Sequence, residues 1–410
     1  MKFNIVMQPF TLLIKPSGSD CNIDCKYCFY RDRAPELGQG KQRMSDEVLD
    51  RLVKDFMQLR FPVVGFAWQG GEPTLMGLDF YKRAVELQKK YGIAGQQVSN
   101  KLQTNGILLD AEWCRFLHDN KFLLGISIDG PKEFHDYYRV DRSGSGTFDK
   151  VMRAVENCKE YKVEFNTLVL LNNRNVEHPD ELFDFFIGND MTYLQFIPCL
   201  ERDPATAKAP VPAVTCSQTQ VQAADFSITP QQYGEFLCRM FDRWCSYGPQ
   251  KVNIRQFDSI VTYHVLGKHT ICTFSEQCAG FLVVEHTGDS FACEFFVEPK
   301  WRLGNIFETP IRELAASGKK RAFARVKQNL CDKCLVCTYL AICRGGCVKD
   351  RVRLSGQSAN RESYFCEGYK RFFDYTMPRF TQIAAAISAG SATRHTRSAD
   401  RVRWQVEEQP

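Results

Sequence analysis

Short apolar runs alternate with amphipathic stretches along the first half of the chain. Between residues 10 and 200, the apolar runs predict six strands, and stretches with a 3.6-residue period predict the helices between them. Ser45 and Asp110 each stand before a predicted helix with acidic residues close behind, as N-cap residues do. Such alternation is typical of a parallel sheet with right-handed crossovers, so we predict a partial (β/α)6 barrel whose chemistry gathers at the carboxyl ends of the strands. The predicted strands are Thr11–Ile14, Val63–Trp68, Val98–Gln103, Phe122–Ile128, Glu164–Leu171 and Tyr193–Ile197, and the predicted helices are Ser45–Arg60, Gly77–Tyr91, Asp110–Asn120, Phe148–Tyr161 and His178–Ile187.

The second half of the chain predicts a different organisation. The segment Pro204–Ala224 has little periodicity and predicts a long irregular connection between domains. A helix is predicted after it at Thr229–Tyr247. Two apolar runs, Phe281–His286 and Ser290–Phe295, flank a Thr-Gly-Asp turn and predict a hairpin. After one more helix the chain becomes polar and rich in Ala, Ser and Arg, which predicts disorder. We therefore expect one domain at 1–228, a second at 229–380 and a disordered tail at 381–410.

Composition and charge exclude several classes of protein. With 44% hydrophobic and 25% charged residues, the chain has ordinary globular proportions. Its net charge of +5 is too small for a protein whose affinity comes from phosphate contacts, so no nucleic-acid partner is expected. No apolar run approaches the roughly 18–20 residues of a membrane span, and the first residues do not form a signal peptide. We expect a cytoplasmic protein with no membrane partner.

The 18 cysteines are unevenly distributed. Three lie within Cys21–Cys28 and nine within Cys272–Cys366, while six are scattered. A disulfide scaffold would be small and secreted, so cysteines at such short spacings predict metal sites. The scattered six fit the ordinary role of buried small hydrophobes. They are Cys114, Cys158, Cys199, Cys216, Cys238 and Cys245.

The first group has the spacing CxxxCxxC, formed by Cys21, Cys25 and Cys28 directly after the first predicted strand. Three thiolates on one loop can hold three irons of a cubane [4Fe–4S] cluster and leave the fourth iron open to a small molecule. The alternative is a zinc knuckle, but zinc takes four ligands, and no fourth Cys or His stands nearby. The spacing therefore favours an open iron–sulfur cluster.

This loop, with Tyr27 before its last cysteine, resembles the radical S-adenosylmethionine (SAM) superfamily. The segment Gly70-Gly71-Glu72-Pro73 after the second strand matches the family segment that contacts the amino group of SAM. Glycines allow close backbone approach, and an acid or carbonyl can accept from an ammonium. By the same resemblance the backbone of Tyr27 reads the adenine, Ser127 and Arg139 hold the carboxylate and ribose, and Leu200 contacts the adenine ring.

The second group of cysteines resembles the SPASM extension of radical SAM enzymes, which holds two auxiliary [4Fe–4S] clusters. The resemblance implies three [4Fe–4S] clusters in all. Cys331 leaves one alternative open, because Cys331-x2-Cys334 is itself a CxxC, and only the five-residue spacing to Cys343 favours Cys334 and Cys337. A zinc ribbon is the other reading, which the distant Cys272 and Cys366 disfavour. The implied ligands are Cys272, Cys278, Cys293 and Cys347 for the first auxiliary cluster, and Cys334, Cys337, Cys343 and Cys366 for the second.

Outside the cysteines, residues 8–380 resemble the anaerobic sulfatase-maturating enzymes. The matching stretches include Leu12–Pro16, Gln69–Thr74, Leu102–Gly106 and Trp301–Asn305. The resemblance implies that SAM yields a 5′-deoxyadenosyl radical, that this radical removes hydrogen from Cβ of an active-site Cys or Ser, and that the product is formylglycine. The implied partners are an unfolded or nascent sulfatase polypeptide and an electron donor such as flavodoxin or ferredoxin.

One residue departs from this family. In that family, the proposed catalytic base is an Asp that follows the third ligand of the first auxiliary cluster. In this chain the same position holds Glu294. The extra methylene moves the carboxylate by about 1 Å, a displacement that can cost roughly 100-fold in rate. We predict Glu294 as the base, on the outgoing strand of the hairpin and facing away from Cys293. The alternative for this residue is a solvated position on the strand, or an ion pair with a nearby Arg or Lys. The alternatives are a SPASM enzyme that modifies another peptide, for example by cross-linking, and an iron–sulfur electron carrier, which would need no SAM pocket.

Overall fold

In a computed structural model of the chain, the described residues are 8–30, 41–203, 222–352 and 360–390, with the backbone of 392–398 and 401–406. Residues 204–221 of the predicted irregular connection, Cys216 among them, lie outside the described residues. No described helix is long and apolar enough to cross a membrane. The described strands are β1 (Thr11–Lys15), β2 (Val63–Trp68), β3 (Gln97–Thr104), β4 (Leu123–Ser127), β5 (Phe165–Leu171), β6 (Tyr193–Pro198), β7 (Asn253–Ile254), β8 (Phe281–Glu285), β9 (Asp289–Phe291), β10 (Arg302–Asn305), β11 (Ala392–Ser398) and β12 (Arg401–Val406). The described α-helices are α1 (Asp46–Met57), α2 (Leu78–Tyr91), α3 (Ala111–Asp119), α4 (Lys132–Tyr138), α5 (Phe148–Glu160), α6 (Pro179–Gly188), α7 (Pro230–Tyr247), α8 (Arg255–Leu266), α9 (Ile311–Ala315), α10 (Gly318–Val326), α11 (Asp332–Leu335), α12 (Leu340–Cys343), α13 (Val348–Val352) and α14 (Cys366–Ser388).

The chain divides into two compact units, and the first comprises Met1–Ser127, His135–Phe165 and Cys278–Arg325. Its strands follow the order β10-β9-β8-β1-β2-β3-β4. Strands β1 to β4 are parallel, and β8 joins β1 in parallel, which places Lys15 opposite Glu285. Strands β9 and β10 add antiparallel to this edge. Parallel pairing brings the carboxyl ends of β1, β2, β3, β4 and β8 to the same edge of the sheet, which is where the functional motifs begin.

The second unit comprises Ile128–Phe134, Asn166–Gln277 and Val326–Pro410. Strands β5, β6 and β7 pair in parallel, and helices α7 and α14 pack closely. The close approach requires glycine, because a Cβ on Gly368 would lie 2.2 Å from the Pro230 carbonyl oxygen. Aromatic rings fill the rest of the interface, with Phe241 and Phe380 at a centroid distance of 4.6 Å. This packing fixes the amino-terminal end of α14, where Cys366 lies.

The structure confirms the six predicted strands and the five helices between them, with ends within about three residues of those predicted. Ser45 and Asp110 are N-caps, accepting hydrogen bonds from Val48 N and Trp113 N. The seven-residue helix α4 was not among the predicted elements.

Two predictions on the second half differ from the structure. The outgoing strand of the hairpin was predicted to reach Phe295, but β9 ends at Phe291 and Glu294 begins a 3-10 turn, so the strand geometry assigned to Glu294 is wrong. The predicted disorder from residue 381 is wrong for 381–388, which continue α14. Beyond them, the backbones of Ala392–Ser398 and Arg401–Val406 pair as an antiparallel hairpin.

Candidate functional site

The first cysteine loop leaves the carboxyl end of β1 and carries Cys21, Cys25 and Cys28, all as free thiols. The Cys28 amide donates to the Cys25 carbonyl at 3.1 Å, which closes a turn between these two ligands. Asn105 Nδ2 lies 3.7 Å from Cys21 Sγ and donates to Asn22 Oδ1 at 2.7 Å. The predicted loop is therefore fixed from the end of β3 as well as from β1.

The Gly-Gly-Glu-Pro segment holds this loop through its backbone. The Gly71 amide donates to the Gly18 carbonyl and the Glu72 amide to the Asp20 carbonyl, both at 2.8 Å. A Cβ on Gly71 would lie 2.0 Å from the Asp20 carbonyl oxygen, and Gly70 has φ +129°, a conformation that L side chains rarely adopt. These glycines are required for contact with the segment just before Cys21.

The Glu72 carboxylate is fully buried, and its hydrogen bonds are internal. It accepts from Thr74 N and Oγ1, from Thr104 Oγ1 at 2.7 Å, and from Asn105 N at 2.8 Å. Burial raises the pKa of Glu72, although these hydrogen bonds lower it. The carboxylate thus joins the ends of β2 and β3. The hydrogen-bond acceptors for the amino group of SAM would then have to be the backbone carbonyls of this segment.

The other residues predicted to bind SAM divide between the two units. In the first unit, Arg139 Nη1 donates to Tyr27 Oη at 3.1 Å, and both side chains are buried. Ser127 is the last residue of β4 and is half-buried. In the second unit, Leu200 follows β6 and is 1% exposed. Their contacts with SAM stay predictions.

The cysteines predicted for the first auxiliary cluster also occur in both units. In the first unit Lys320, 6% exposed, donates to the Ala292 carbonyl at 2.9 Å; its pKa falls to about 8 because burial outweighs the opposing effect of Cys293 and Cys278. In the second unit Lys327, 1% exposed, donates to the Cys272 and Thr273 carbonyls, each at 2.6 Å. Cys347 precedes α13 and is half-buried. This ligand set stays a prediction.

A cavity in the second unit is lined by the four cysteines predicted for the second auxiliary cluster, Cys334, Cys337, Cys343 and Cys366. Cys331 does not line it; its sulfur lies 3.7 Å from Cys334 Sγ and 3.8 Å from Glu362 Oε2. The geometry thus favours the predicted choice of cysteines over the Cys331/Cys334 alternative.

The thiols fit clusters better than single ions. Among the residues described here, no three Cys, His, Asp or Glu side chains form a ready site for one metal ion. The thiols of a cubane site bind separate irons and therefore surround a volume instead of a point. Burial raises the pKa of Cys21 to about 12, with a further contribution from Glu72, and it raises the pKa of Cys366 to about 11. Iron binding must therefore displace protons from these thiols.

A charged cluster lies at the carboxyl ends of β1 and β8, and in it Glu294 has the ion pair that was the alternative to its role as a base. Sequence reasoning did not identify Lys15 as the partner. Lys15, 2% exposed, places its Nζ 3.1 Å from Glu294 Oε2 and 4.6 Å from the centroid of the Tyr30 ring. Tyr30 donates a short hydrogen bond to Glu285 Oε1. The two ends of the Lys15–Glu294 pair are 279 residues apart, so no local pattern could reveal it.

Two family models match the chain, the radical SAM superfamily over residues 16–186 and the iron–sulfur cluster-binding SPASM domain over residues 272–338. With the cysteine loop at the end of β1 and the cysteine-lined cavity, they define a radical SAM enzyme with a SPASM domain.

Curated relatives and solved structures narrow the class. The chain is 38% identical to the cysteine-type anaerobic sulfatase-maturating enzyme of Clostridium perfringens (strain 13), over 93% of this chain and 100% of that protein. It is 37% identical to the serine-type enzyme of Bacteroides thetaiotaomicron over 90% of each chain. The structure of native anSMEcpe with bound AdoMet and Cp18Cys peptide superposes with a TM-score of 0.82, at 38% identity, over 92% of this chain and 99% of that one. The chain belongs to the anaerobic sulfatase-maturating enzyme family.

Proposed function

We propose that this protein oxidises an active-site Cys or Ser of an unfolded or nascent sulfatase to formylglycine in the cytoplasm. The observation that supports this most directly is the 38% identity to a sulfatase-maturating enzyme over that protein's whole length. The relatives include both cysteine-type and serine-type enzymes at nearly equal identity, so both target residues belong in the proposal.

We propose that Cys21, Cys25 and Cys28 hold the cluster that binds SAM. The SAM contacts would come from the residues named from the resemblance, and the eight auxiliary ligands would hold two further clusters. When bound, SAM and the clusters supply the radical that removes hydrogen from Cβ and accept the second electron. We also propose a small electron-transfer protein, such as flavodoxin or ferredoxin, as the reductant, and we retain 1–228 and 229–380 as the functional domains.

The chain itself contributes position and proton transfer. The hydrogen bonds of Glu72 and Asn105 keep the ends of β2 and β3 against the cysteine loop. Glu294 is 24% exposed and is the carboxylate that follows Cys293, so we propose that it takes the proton which the target thiol or hydroxyl must lose as the substrate radical is oxidised.

The function is tested by anaerobic incubation of the reconstituted enzyme with SAM, dithionite and sulfatase-derived peptides that carry Cys, Ser or Ala at the target position. Mass spectrometry should detect formylglycine in the Cys or Ser peptide and no change in the Ala peptide. SAM cleavage without oxidation of either peptide would contradict the proposal.

The role of Glu294 is tested with two variants. Glu294→Gln should lower peptide oxidation by about 100-fold or more, because the amide cannot take a proton, while 5′-deoxyadenosine is still released. Glu294→Asp should remain active. Oxidation by the Gln variant at the normal rate would rule out the role.

A further inference from the structure

Lys15 occupies an unusual position for a lysine. It is the last residue of β1, and its side chain is 2% exposed. The side chain lies against Gly70, where an added Cβ would be 3.4 Å from Lys15 Cδ. A buried ammonium is costly unless a carboxylate pairs with it. A carboxylate that pairs with Lys15 is therefore held in place relative to the end of β1 and to the cysteine loop that follows.

Two carboxylates face this ammonium, Glu285 and Glu294. Glu285 stands opposite Lys15 in the parallel ladder, but its Oε1 accepts from Tyr30. Because Glu285 is fully buried, its pKa rises to about 7, even though Tyr30 and Lys15 lower it, so at neutral pH it carries only part of a charge. Glu294 is the carboxylate at hydrogen-bonding distance from Nζ, at 3.1 Å.

The surroundings of Glu294 leave its side chain in need of such a partner. The backbone has left the ladder at Phe291, so a 3-10 turn carries Glu294. Within the turn, Phe295 packs on Phe29 at a centroid distance of 4.9 Å, which fixes the backbone but not the Glu294 carboxylate. A glutamate has one more rotatable bond than an aspartate, and its carboxylate covers a wider region unless something holds it.

We propose that Lys15 is the positioning residue of this enzyme: its ammonium, held at the carboxyl end of β1, fixes the Glu294 carboxylate at the place where the target side chain loses its proton. The inference rests on the proposed function. Lys15 acts through Glu294 and needs no contact with substrate.

The first test is Lys15→Met in the full-length reconstituted enzyme, which removes the charge and keeps a long, unbranched side chain. We expect the yield of formylglycine per 5′-deoxyadenosine released to fall ten- to 100-fold, since a carboxylate displaced by about 1 Å can cost that much. The loss should appear in kcat, with the KM for peptide within about twofold of normal. Lys82→Met is the matched control, because Lys82 forms an exposed ion pair with Asp79, and its yield should equal that of the wild type. An unchanged yield in Lys15→Met would overturn the proposal.

A double variant separates a role through Glu294 from general damage. If Lys15 acts only by holding Glu294, then Lys15→Met combined with Glu294→Gln should be no slower than Glu294→Gln alone. Thermal midpoints of the same three proteins provide a readout that does not depend on the substrate, and here too the two changes should be non-additive. Additive shifts in the midpoints, or a further loss of yield in the double variant, would overturn the proposal. Failure of the wild type to oxidise any sulfatase peptide would instead contradict the proposed function, while the midpoints would still test the pairing.

Discussion

At the residue scale, Cys331 and Cys334 show why spacing alone left a choice between ligands. Both sulfurs lie on one short segment, 3.7 Å apart, but only Cys334 lines the cavity with Cys366. The lining of the cavity therefore favours Cys334 as the ligand, with Cys331 beside it. In the sequence only the spacing to Cys343 favoured Cys334 and Cys337, and the lining of the cavity supports that choice.

We predict that Cys366→Ala loses about four irons per chain, since one ligand of four is removed from the second auxiliary cluster. Some SAM cleavage should survive while formylglycine falls, and Cys337→Ala should behave in the same way. Cys331→Ala is the control and should keep its iron and its activity. Iron analysis and the yield of 5′-deoxyadenosine check this; equal iron loss in Cys331→Ala and Cys366→Ala would show that the ligand assignment is wrong.

Glu285 gives the fold a pH dependence that can be assigned to one group. Burial is the main cause that raises its pKa from 4.5 to about 7. A carboxyl whose pKa is higher when folded stabilises the fold fully below about pH 4.5, and this contribution is lost as the pH rises through about 7. The contribution amounts to up to about 3 kcal/mol.

We expect the thermal midpoint of Glu285→Gln to fall less than that of the wild type between about pH 5.5 and about pH 8 under anaerobic conditions. Glu86→Gln, at an exposed position on α2, should keep the wild-type profile. Parallel profiles for wild type and Glu285→Gln would show that Glu285 is ionised throughout this range.

At the element scale, the strands with continuous buried apolar runs were predicted correctly. The strand end after Phe291 was predicted wrongly, because a residue far away in the sequence binds its backbone. The run Ser290–Phe295 was predicted as a strand because it follows a Gly turn, but the Ala292 carbonyl accepts from Lys320 and the Ala292 amide donates to the Trp301 carbonyl at 3.2 Å. These contacts take the chain out of the β8–β9 ladder before Cys293. The partner lysine lies 28 residues away, so no pattern within the run could indicate it.

The contact between the segment that follows β2 and the cysteine loop gives an element-scale prediction about Gly71. Gly71→Ala would bring a Cβ within 2.0 Å of the Asp20 carbonyl, so backbone must move and the cysteine loop loses its support. We expect the variant to lose most of its SAM cleavage and about four irons, those of the first cluster. Gly188→Ala is the matched control, because a Cβ there meets nothing within 4 Å, and it should leave iron content unchanged. Normal SAM cleavage in Gly71→Ala would show that the loop tolerates the displacement.

At the scale of the whole molecule, the order of motifs was readable because each follows a strand end. The cysteine loop follows β1, the Gly-Gly-Glu-Pro segment follows β2 and Ser127 ends β4, so a strand pattern and a few residue types predicted that they share one edge. The Lys15–Glu294 pair was not predictable, because the parallel pairing of β8 with β1 brings its two parts together. Spacing in sequence contains no information on that pairing.

The predicted cluster content is a property of the whole chain, and it can be divided among the ligand sets. Three cysteines at the end of β1 and eight in the later group imply about twelve irons in the anaerobically reconstituted protein. Replacing Cys21, Cys25 and Cys28 together by Ala should leave about eight irons and abolish SAM cleavage, because SAM needs the open iron of that cluster. Cys366→Ala should also leave about eight irons but retain some SAM cleavage, so the two variants differ in chemistry at equal iron content. Cys114→Ala, which removes a buried thiol outside both groups, is the control and should keep about twelve irons. A wild-type plateau near four or eight irons would show that at least one of the three ligand sets is wrong, and the variant whose iron content then equals that of the wild type would identify it.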